Sequence, residues 1–94
     1  MDKALSLLGL AQRAGKVISG SLAEDAVKSK KAKLLLLDES ASNNTRGLYE
    51  RLCASAGIPL IILPEGRLTQ AIGKMRKVAA VTDSGFAKNI KKIF

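Results

Sequence analysis

The chain has 94 residues, which is enough for one hydrophobic core and too few for two. It has no histidine and a single cysteine, so its composition argues against a histidine-based catalytic or metal site and against an internal disulfide. It has 16 lysines and arginines and 8 acidic residues, which gives a formal charge of +8. This charge indicates a polyanionic partner such as nucleic acid, because each neutralised phosphate releases condensed counterions.

In chain order, the first half of the sequence predicts three helices and two strands. The first helix is amphipathic, with its apolar positions between residues 4 and 11, and it ends near Gly15. A short strand follows at 17–19. A second helix with apolar positions between 22 and 27 opens after Gly20. The four leucines of 34–37 form the second strand, and a third helix covers about 42–56.

The second half predicts two further strands, at 60–63 and 78–81, and two further helices. One short helix covers 68–72, and Ser84 is expected to cap a last helix that carries Phe86, Ile90 and Ile93. The continuous apolar runs are typical of strands covered on both faces. Strands that alternate with helices predict an α/β fold, a three-layer α/β/α sandwich of about four strands, with residues 1–94 as a single domain.

The sequence gives no sign of a membrane or secretory protein. The first ten residues lack a sustained apolar core and a cleavage site, and the apolar runs are too short to cross a bilayer. The unpaired Cys53 fits a reducing compartment. We therefore expect a cytoplasmic protein without membrane contact.

Residues with catalytic potential are scarce. Cys53 occupies an apolar helix position, which is typical of a buried packing thiol. The acid pairs at 24–25 and 38–39 are sequence neighbours, and neighbours on a helix point to different faces, so Glu24 and Asp25 are poor acid/base partners. We predict a protein that is not an enzyme and has no metal and no cofactor.

Three segments suit contact with phosphate or RNA. Glycines at 15 and 20 flank the short strand and open the second helix, the segment 73–77 places three cations within four residues before a strand, and 38–45 is a polar turn. Each also has a plain structural interpretation, as glycine turns, a solvated loop and turn or capping chemistry. The lysines of 88–92 are interpreted as a solvated helix face.

Read together, short motifs spread over nearly the whole chain resemble a known family. They are LLGLAQRAGK at 7–16, KAKL at 31–34, DESASNNT at 38–45, LC at 52–53 with IP at 58–59, AIG at 71–73 and VTDSGFA at 81–87. Each motif is weak alone, but their order and spacing resemble the L7Ae/L30e ribosomal protein family, and within it the small bacterial YlxQ-like branch.

The resemblance implies an L30e-like α/β/α sandwich that binds a kink-turn, an RNA duplex bent at an internal loop beside sheared G·A pairs. In the family, the start of the second helix reaches the G·A pairs, and a loop before the last core strand covers a flipped-out base. These segments correspond to 20–24 and 73–78 here. The chain departs from the usual Gly-x-Asn-Glu-x-x-Lys pattern, because Leu22, Ala23 and Ala26 stand at its Asn, Glu and Lys positions.

The sequence therefore predicts a monomeric, non-enzymatic RNA-binding protein of ribosomal type. Its expected partner is structured RNA, kink-turn or kink-turn-like, in rRNA or an mRNA leader, with the ribosome as a further partner. The alternative is a basic protein-interaction module or ribosome-associated factor without kink-turn specificity, for which Leu22 would suit a contact. The candidate RNA-binding residues are Gly15, Lys16, Gly20, Ser21, Glu24, Lys33, Asn44, Lys74, Arg76 and Lys77.

Overall fold

The computed structural model describes residues 2–93 and consists of helices and strands in alternation. The elements are α1 (Asp2–Arg13), β1 (Val17–Ser19), α2 (Leu22–Lys28), β2 (Leu34–Asp38), α3 (Asn43–Ala56), β3 (Leu60–Leu63), α4 (Arg67–Ile72), β4 (Val78–Val81) and α5 (Ser84–Lys91). The α/β class and the predicted alternation of elements are confirmed.

The four strands form one mixed sheet in the order β1-β4-β2-β3. The latest strand in the chain, β4, lies between β1 and β2 and is antiparallel to both, so that Ala79 pairs with Ser19 on one side and with Leu36 on the other. Strand β3 is parallel to β2 and forms one edge of the sheet.

Helices cover both faces of the sheet, which gives the predicted three layers. Side chains of a strand alternate between faces, so Leu34 and Leu36 pack with buried residues of α1, α4 and α5, while Leu35 and Leu37 pack with buried residues of α2 and α3. Every residue of β2 and β4 is buried. These two strands are therefore the centre of both cores.

Strand β3 departs from the expectation that all continuous apolar runs are covered on both faces. Only Leu63 of this strand is buried, and Ile62 is 36% exposed. The prediction was wrong for β3 because it forms an edge of the sheet, and the run LIIL resembles the central run LLLL closely enough that position in the sheet cannot be read from it.

The start and end of α5 also differ from the expectation. Asp83, not Ser84, is the N-cap: its backbone is extended and its carboxylate accepts a hydrogen bond from the amide of Phe86 at 2.9 Å. The helix ends at Lys91, so Ile93 lies beyond it. Among residues 2–93, no helix is both long enough and apolar enough to cross a bilayer.

Candidate nucleic-acid interface

An open groove of about 450 Å³ lies where the starts of α2 and α3 meet the loop before β4. The segment that opens α2 contributes Gly20, Ser21 and Glu24. Helix α3 contributes Thr45, Leu48 and Tyr49, and the loop before β4 contributes Met75, Arg76 and Lys77. The amide of Gly20 donates to the carbonyl of Val78 at 3.1 Å, which joins the end of β1 to the start of β4. The sheet thus brings together segments that lie more than 50 residues apart in sequence.

Gly20 is required by the backbone that opens α2. Its φ is +74°, in the left-handed region that favours glycine, and its carbonyl accepts from the amide of Ala23 at 3.0 Å. A Cβ at this position would lie 3.6 Å from Nε of Arg76. That is an ordinary van der Waals distance, so Gly20 is required for the turn into α2 and not for space beside Arg76.

The groove side of α2 carries one carboxylate and one unengaged hydroxyl. Ser21 is the N-cap residue but its side chain makes no capping hydrogen bond. One turn later, the Glu24 carboxylate pairs with Nζ of Lys28 at 2.7 Å, an i,i+4 pair on the helix surface. The hydrogen bond and the charge of Glu24 raise the pKa of Lys28. Glu24 lines the groove and its partner Lys28 does not.

The loop 73–77 is held in place by Thr69 and Ser19. The Thr69 hydroxyl accepts from the Arg76 amide at 3.1 Å and donates to the Arg76 carbonyl at 3.3 Å. Nε of Arg76 donates to the Ser19 hydroxyl at 3.1 Å, and one terminal nitrogen donates to the carbonyl of Met75 at 2.8 Å. A guanidinium has five N–H donors, so Arg76 keeps donors for a ligand while its position is fixed.

A buried carboxylate, Asp38, anchors the neighbouring turns at this end of β2. It is 2% exposed and accepts from the amide and hydroxyl of Ser40, at 2.8 and 2.6 Å, and from the amide of Gly66 at 2.9 Å. Nζ of Lys77 donates to the same Ser40 hydroxyl. Burial acts to raise the pKa of Asp38, but the hydrogen bonds from Ser40 and Gly66 and the charge of Lys77 outweigh it and lower that pKa.

The groove contains half of the residues singled out in the sequence. Gly20, Ser21, Glu24, Arg76 and Lys77 line it. Lys74 is exposed in the same loop, and Asn44 is exposed in the first turn of α3, next to the lining residue Thr45.

Three other candidates lie at the opposite end of the sheet. The amide of Lys33 donates to the carbonyl of Val81 at 2.7 Å, and the carbonyl of Lys16, which follows Gly15, accepts from the amide of Thr82 at 2.9 Å. The groove, in contrast, meets β4 at Val78. The structure therefore does not bring Gly15, Lys16 and Lys33 to the groove.

Five lining residues were not among the candidates named from the sequence: Thr45, Leu48, Tyr49, Met75 and Val78. Tyr49 is 4% exposed and its burial raises the pKa of its hydroxyl, with a smaller contribution from Glu24. Met75 is 74% exposed. Its place between Lys74 and Arg76 was the available signal, because an apolar side chain inside a basic loop is seldom needed for packing.

The cysteine is not placed to act as a nucleophile. Cys53 is buried, and burial raises the pKa of its thiol to about 11, so the thiol is protonated at neutral pH. Over residues 2–93, no group of three or more cysteines, aspartates or glutamates is positioned to hold a metal ion.

Fold and groove together define a small basic α/β/α domain with a cleft at the start of its second helix. The family model described as "Ribosomal protein L7Ae/L30e/S12e/Gadd45 family" matches residues 2–91. The chain belongs to this family, which confirms the resemblance noted in the sequence.

Similar proteins come from several organisms. A protein from Enterococcus faecium named RNA-binding protein YlxQ is 39% identical over 94 residues, covering 98% of this chain and 91% of the relative. A Bacillus subtilis (strain 168) protein of the same name is 42% identical over 87 residues, covering 89% and 87%.

Two solved structures share the fold. A protein with unknown function from Bacillus halodurans superposes with a TM-score of 0.94 at 33% identity, covering 99% of this chain and 97% of that one. The Giardia lamblia 15.5kD RNA binding protein superposes with a TM-score of 0.77 at 20% identity, covering 95% and 82%. At that identity the second likeness shows the fold alone.

Proposed function

We propose that this chain is a non-enzymatic RNA-binding protein that binds a kink-turn or kink-turn-like RNA through the groove between α2, α3 and the loop 73–77. The observation that carries the proposal is the fixed placement of the basic loop against the opening of α2, through the bond of Arg76 to Ser19 at 3.1 Å. The names of the Enterococcus and Bacillus subtilis relatives, RNA-binding protein YlxQ, support the same ligand class.

The shape of a kinked RNA suits this groove. Duplex RNA has a major groove too deep and narrow for side chains, so proteins recognise its shape and its opened bases. A kink also crowds phosphates, and a basic surface relieves their repulsion. Lys74 and Lys77, both exposed on the loop, meet phosphates, while Arg76 offers its remaining donors.

Glu24 is the residue proposed to read a base. It supplies the carboxylate among the residues that line the groove, and a carboxylate accepts hydrogen bonds from the N–H groups of a guanine edge. It is paired with Lys28 at 2.7 Å on the surface of α2. In this proposal, Glu24 makes the base contact that an Asn-Glu pair makes in other kink-turn binders. This chain lacks that pair.

Met75 is proposed to cover an unstacked base. At 74% exposure its thioether side chain stands free at the groove, next to Lys74 and Arg76, and offers an apolar, polarisable surface. In this arrangement the loop contacts phosphate through its lysines and a base through Met75.

The RNA would be a structured segment of rRNA or an mRNA leader, residues 1–94 would act as one monomeric unit, and the ribosome in the cytoplasm would be a further partner.

One observation favours a second candidate, a protein-interaction module: Leu22 is 65% exposed at the start of α2. Under that alternative, a kinked RNA has no advantage over a straight duplex.

The test is a titration of the protein with a labelled kink-turn RNA and with a straight duplex lacking the bulge, in magnesium, at two salt concentrations. We expect the kink-turn to bind at least tenfold more tightly, about 1.4 kcal/mol. Equal binding of both RNAs would contradict kink-turn recognition and leave a basic platform of another function.

The carboxylate readout is tested with the same RNAs. Glu24→Gln should lose most of the preference for the kink-turn while affinity for the straight duplex stays the same. Asp25→Asn is the matched control, because Asp25 is an exposed carboxylate on the same helix that does not line this groove. If the two variants behave alike, Glu24 does not read the base.

A further inference from the structure

A second groove, of about 260 Å³, lies at the other end of the sheet. Lys33 lines it from the start of β2, and Lys88 and Lys91 line it from α5. Pro59 and Ala87 contribute apolar surface to its wall. The three exposed lysines define what we call the second basic surface.

The first groove and the second basic surface meet the same buried strand. The first groove meets β4 where Gly20 bonds to Val78, and the second meets it where Lys33 bonds to Val81. Val78 and Val81 are three positions apart on the strand, about 10 Å at the usual rise per residue. Both surfaces are therefore built on one strand that is buried along its whole length.

The lysines of the second surface converge without a neutralising acid in the groove wall. Lys88 and Lys91 are three residues apart on α5 and so lie on one side of the helix. Asp83, the nearest acid in sequence, caps the same helix through the Phe86 amide and does not line the groove. Three like charges brought together repel one another, and a polyanion would relieve that repulsion.

The composition of the surface favours phosphate over a protein partner. Lysine is a flexible point charge that suits phosphate without reading a base, and the groove has no aromatic or arginine side chain to anchor a protein. We infer that the second basic surface binds the phosphate backbone of an arm of the same RNA whose kink occupies the first groove; this inference rests on the proposed function. The protein would then contact one bent RNA at both ends of its sheet.

The experiment compares two kink-turn RNAs, one with minimal arms and one with each arm extended by a helical turn. The wild-type protein should bind the extended RNA more tightly, by about tenfold, and with a steeper dependence on salt. The variant Lys33→Gln/Lys88→Gln/Lys91→Gln should lose the gain from extension and bind the minimal RNA as the wild type does. Hydroxyl-radical footprints on the extended arms should disappear in this variant.

The matched control, Lys3→Gln/Arg51→Gln/Arg67→Gln, removes three charges from residues that line neither groove. It should keep the gain from extension. If the second-surface variant also keeps the gain, or if both triple variants lose it equally, the inference is overturned while RNA binding through the first groove stands. If the wild type binds neither RNA, the proposed function fails as well.

Discussion

Arg76 forms hydrogen bonds within the protein and also lines the groove. Its Nε bond to Ser19 ties the loop before β4 to the end of β1, and the Thr69 hydroxyl holds its backbone on both sides. A basic loop without such bonds would lose conformational freedom on binding, at a cost in affinity. The loop here is held by bonds within the protein.

Replacing Arg76 with lysine keeps the charge and removes the bond to Ser19. We expect RNA affinity to fall by roughly tenfold, since a hydrogen bond of a charged group contributes about 1.5 kcal/mol or more. The salt dependence should stay the same. Ser19→Ala should have a similar effect although it removes no charge, and the double variant should be little worse than either single one, as measured in a double-mutant cycle. Full additivity would contradict the positioning role.

Cys53 gives a contrasting prediction, for stability without binding. The thiol is 3% exposed in the core between α2, α3 and the sheet, so Cys53→Ser buries a hydroxyl in an apolar setting. We expect a loss of about 1–3 kcal/mol in the free energy of unfolding and no change in RNA affinity. Thermal melting and the kink-turn titration check the two parts. Weaker binding with an unchanged melting temperature would contradict the core assignment.

At the scale of elements, Asp38 joins the end of β2 to the turns before α3 and α4. It bonds to Ser40 after its own strand and to Gly66 before α4, and Glu39 accepts from the Glu65 amide at 3.0 Å beside it. Through Ser40 it also reaches Lys77 at the groove. The buried carboxylate thus ties three connections together at one end of the sheet.

These bonds make stability depend on pH in the acid range. The pKa of Asp38 is lowered on folding, so its contribution is complete above the ordinary carboxyl pKa and is lost as the pH falls through the folded value. Asp38→Asn should lower the free energy of unfolding by about 2 kcal/mol at pH 7, because an amide cannot accept all three bonds. It should also flatten the loss of stability below about pH 4. Denaturant titrations at several pH values measure this, with Asp25→Asn as the control. If the wild type and Asp38→Asn lost stability in parallel as the pH falls, Asp38 would not be responsible.

The elements themselves were largely predictable because local patterns specify them. Apolar runs identified β2 and β4, and Gly57 after Ala56 marked the end of α3, where it adopts φ +72°. The exposure of β3 could not be predicted, since an edge strand and a central strand can share the same apolar run. The cap of α5 was misplaced by one residue because aspartate and serine both cap helices and stand side by side at 83–84.

The candidate site was predictable only in part, because it depends on strand order. Gly20 and the loop 73–77 come together through the pairing of β1 with β4, which no local pattern encodes. The resemblance implied only that the two segments contact the same RNA. Lys16 and Lys33 are close to Gly20 in sequence, yet the strands carry them to the far end of the sheet. Asp38 showed one signal, an acid directly after an apolar strand, without indicating its partners.

At the scale of the whole molecule, the formal charge of +8 produces an electrostatic field that attracts a polyanion. The position of each charge on the surface determines whether it contacts that polyanion. The variant Lys74→Gln/Lys77→Gln should weaken binding to kinked and straight RNA alike. The slope of log affinity against log salt should decrease by about 0.7–0.9 for each phosphate that the variant no longer neutralises. Lys3→Gln/Arg51→Gln, which removes the same charge elsewhere, should leave the slope nearly unchanged. Equal slopes in both variants would contradict the assignment of the loop to phosphate.

The central position of β4 has a consequence for how the protein is made. Synthesis proceeds from the N-terminus, so β1, β2 and β3 emerge before the strand that lies between the first two. Until Val81 has left the ribosome, the leucines of β2 lack one neighbour and Gly20 lacks the carbonyl to which it bonds. The nascent chain therefore completes its core and its groove in the same late step, and the RNA binding proposed for the groove would follow that step.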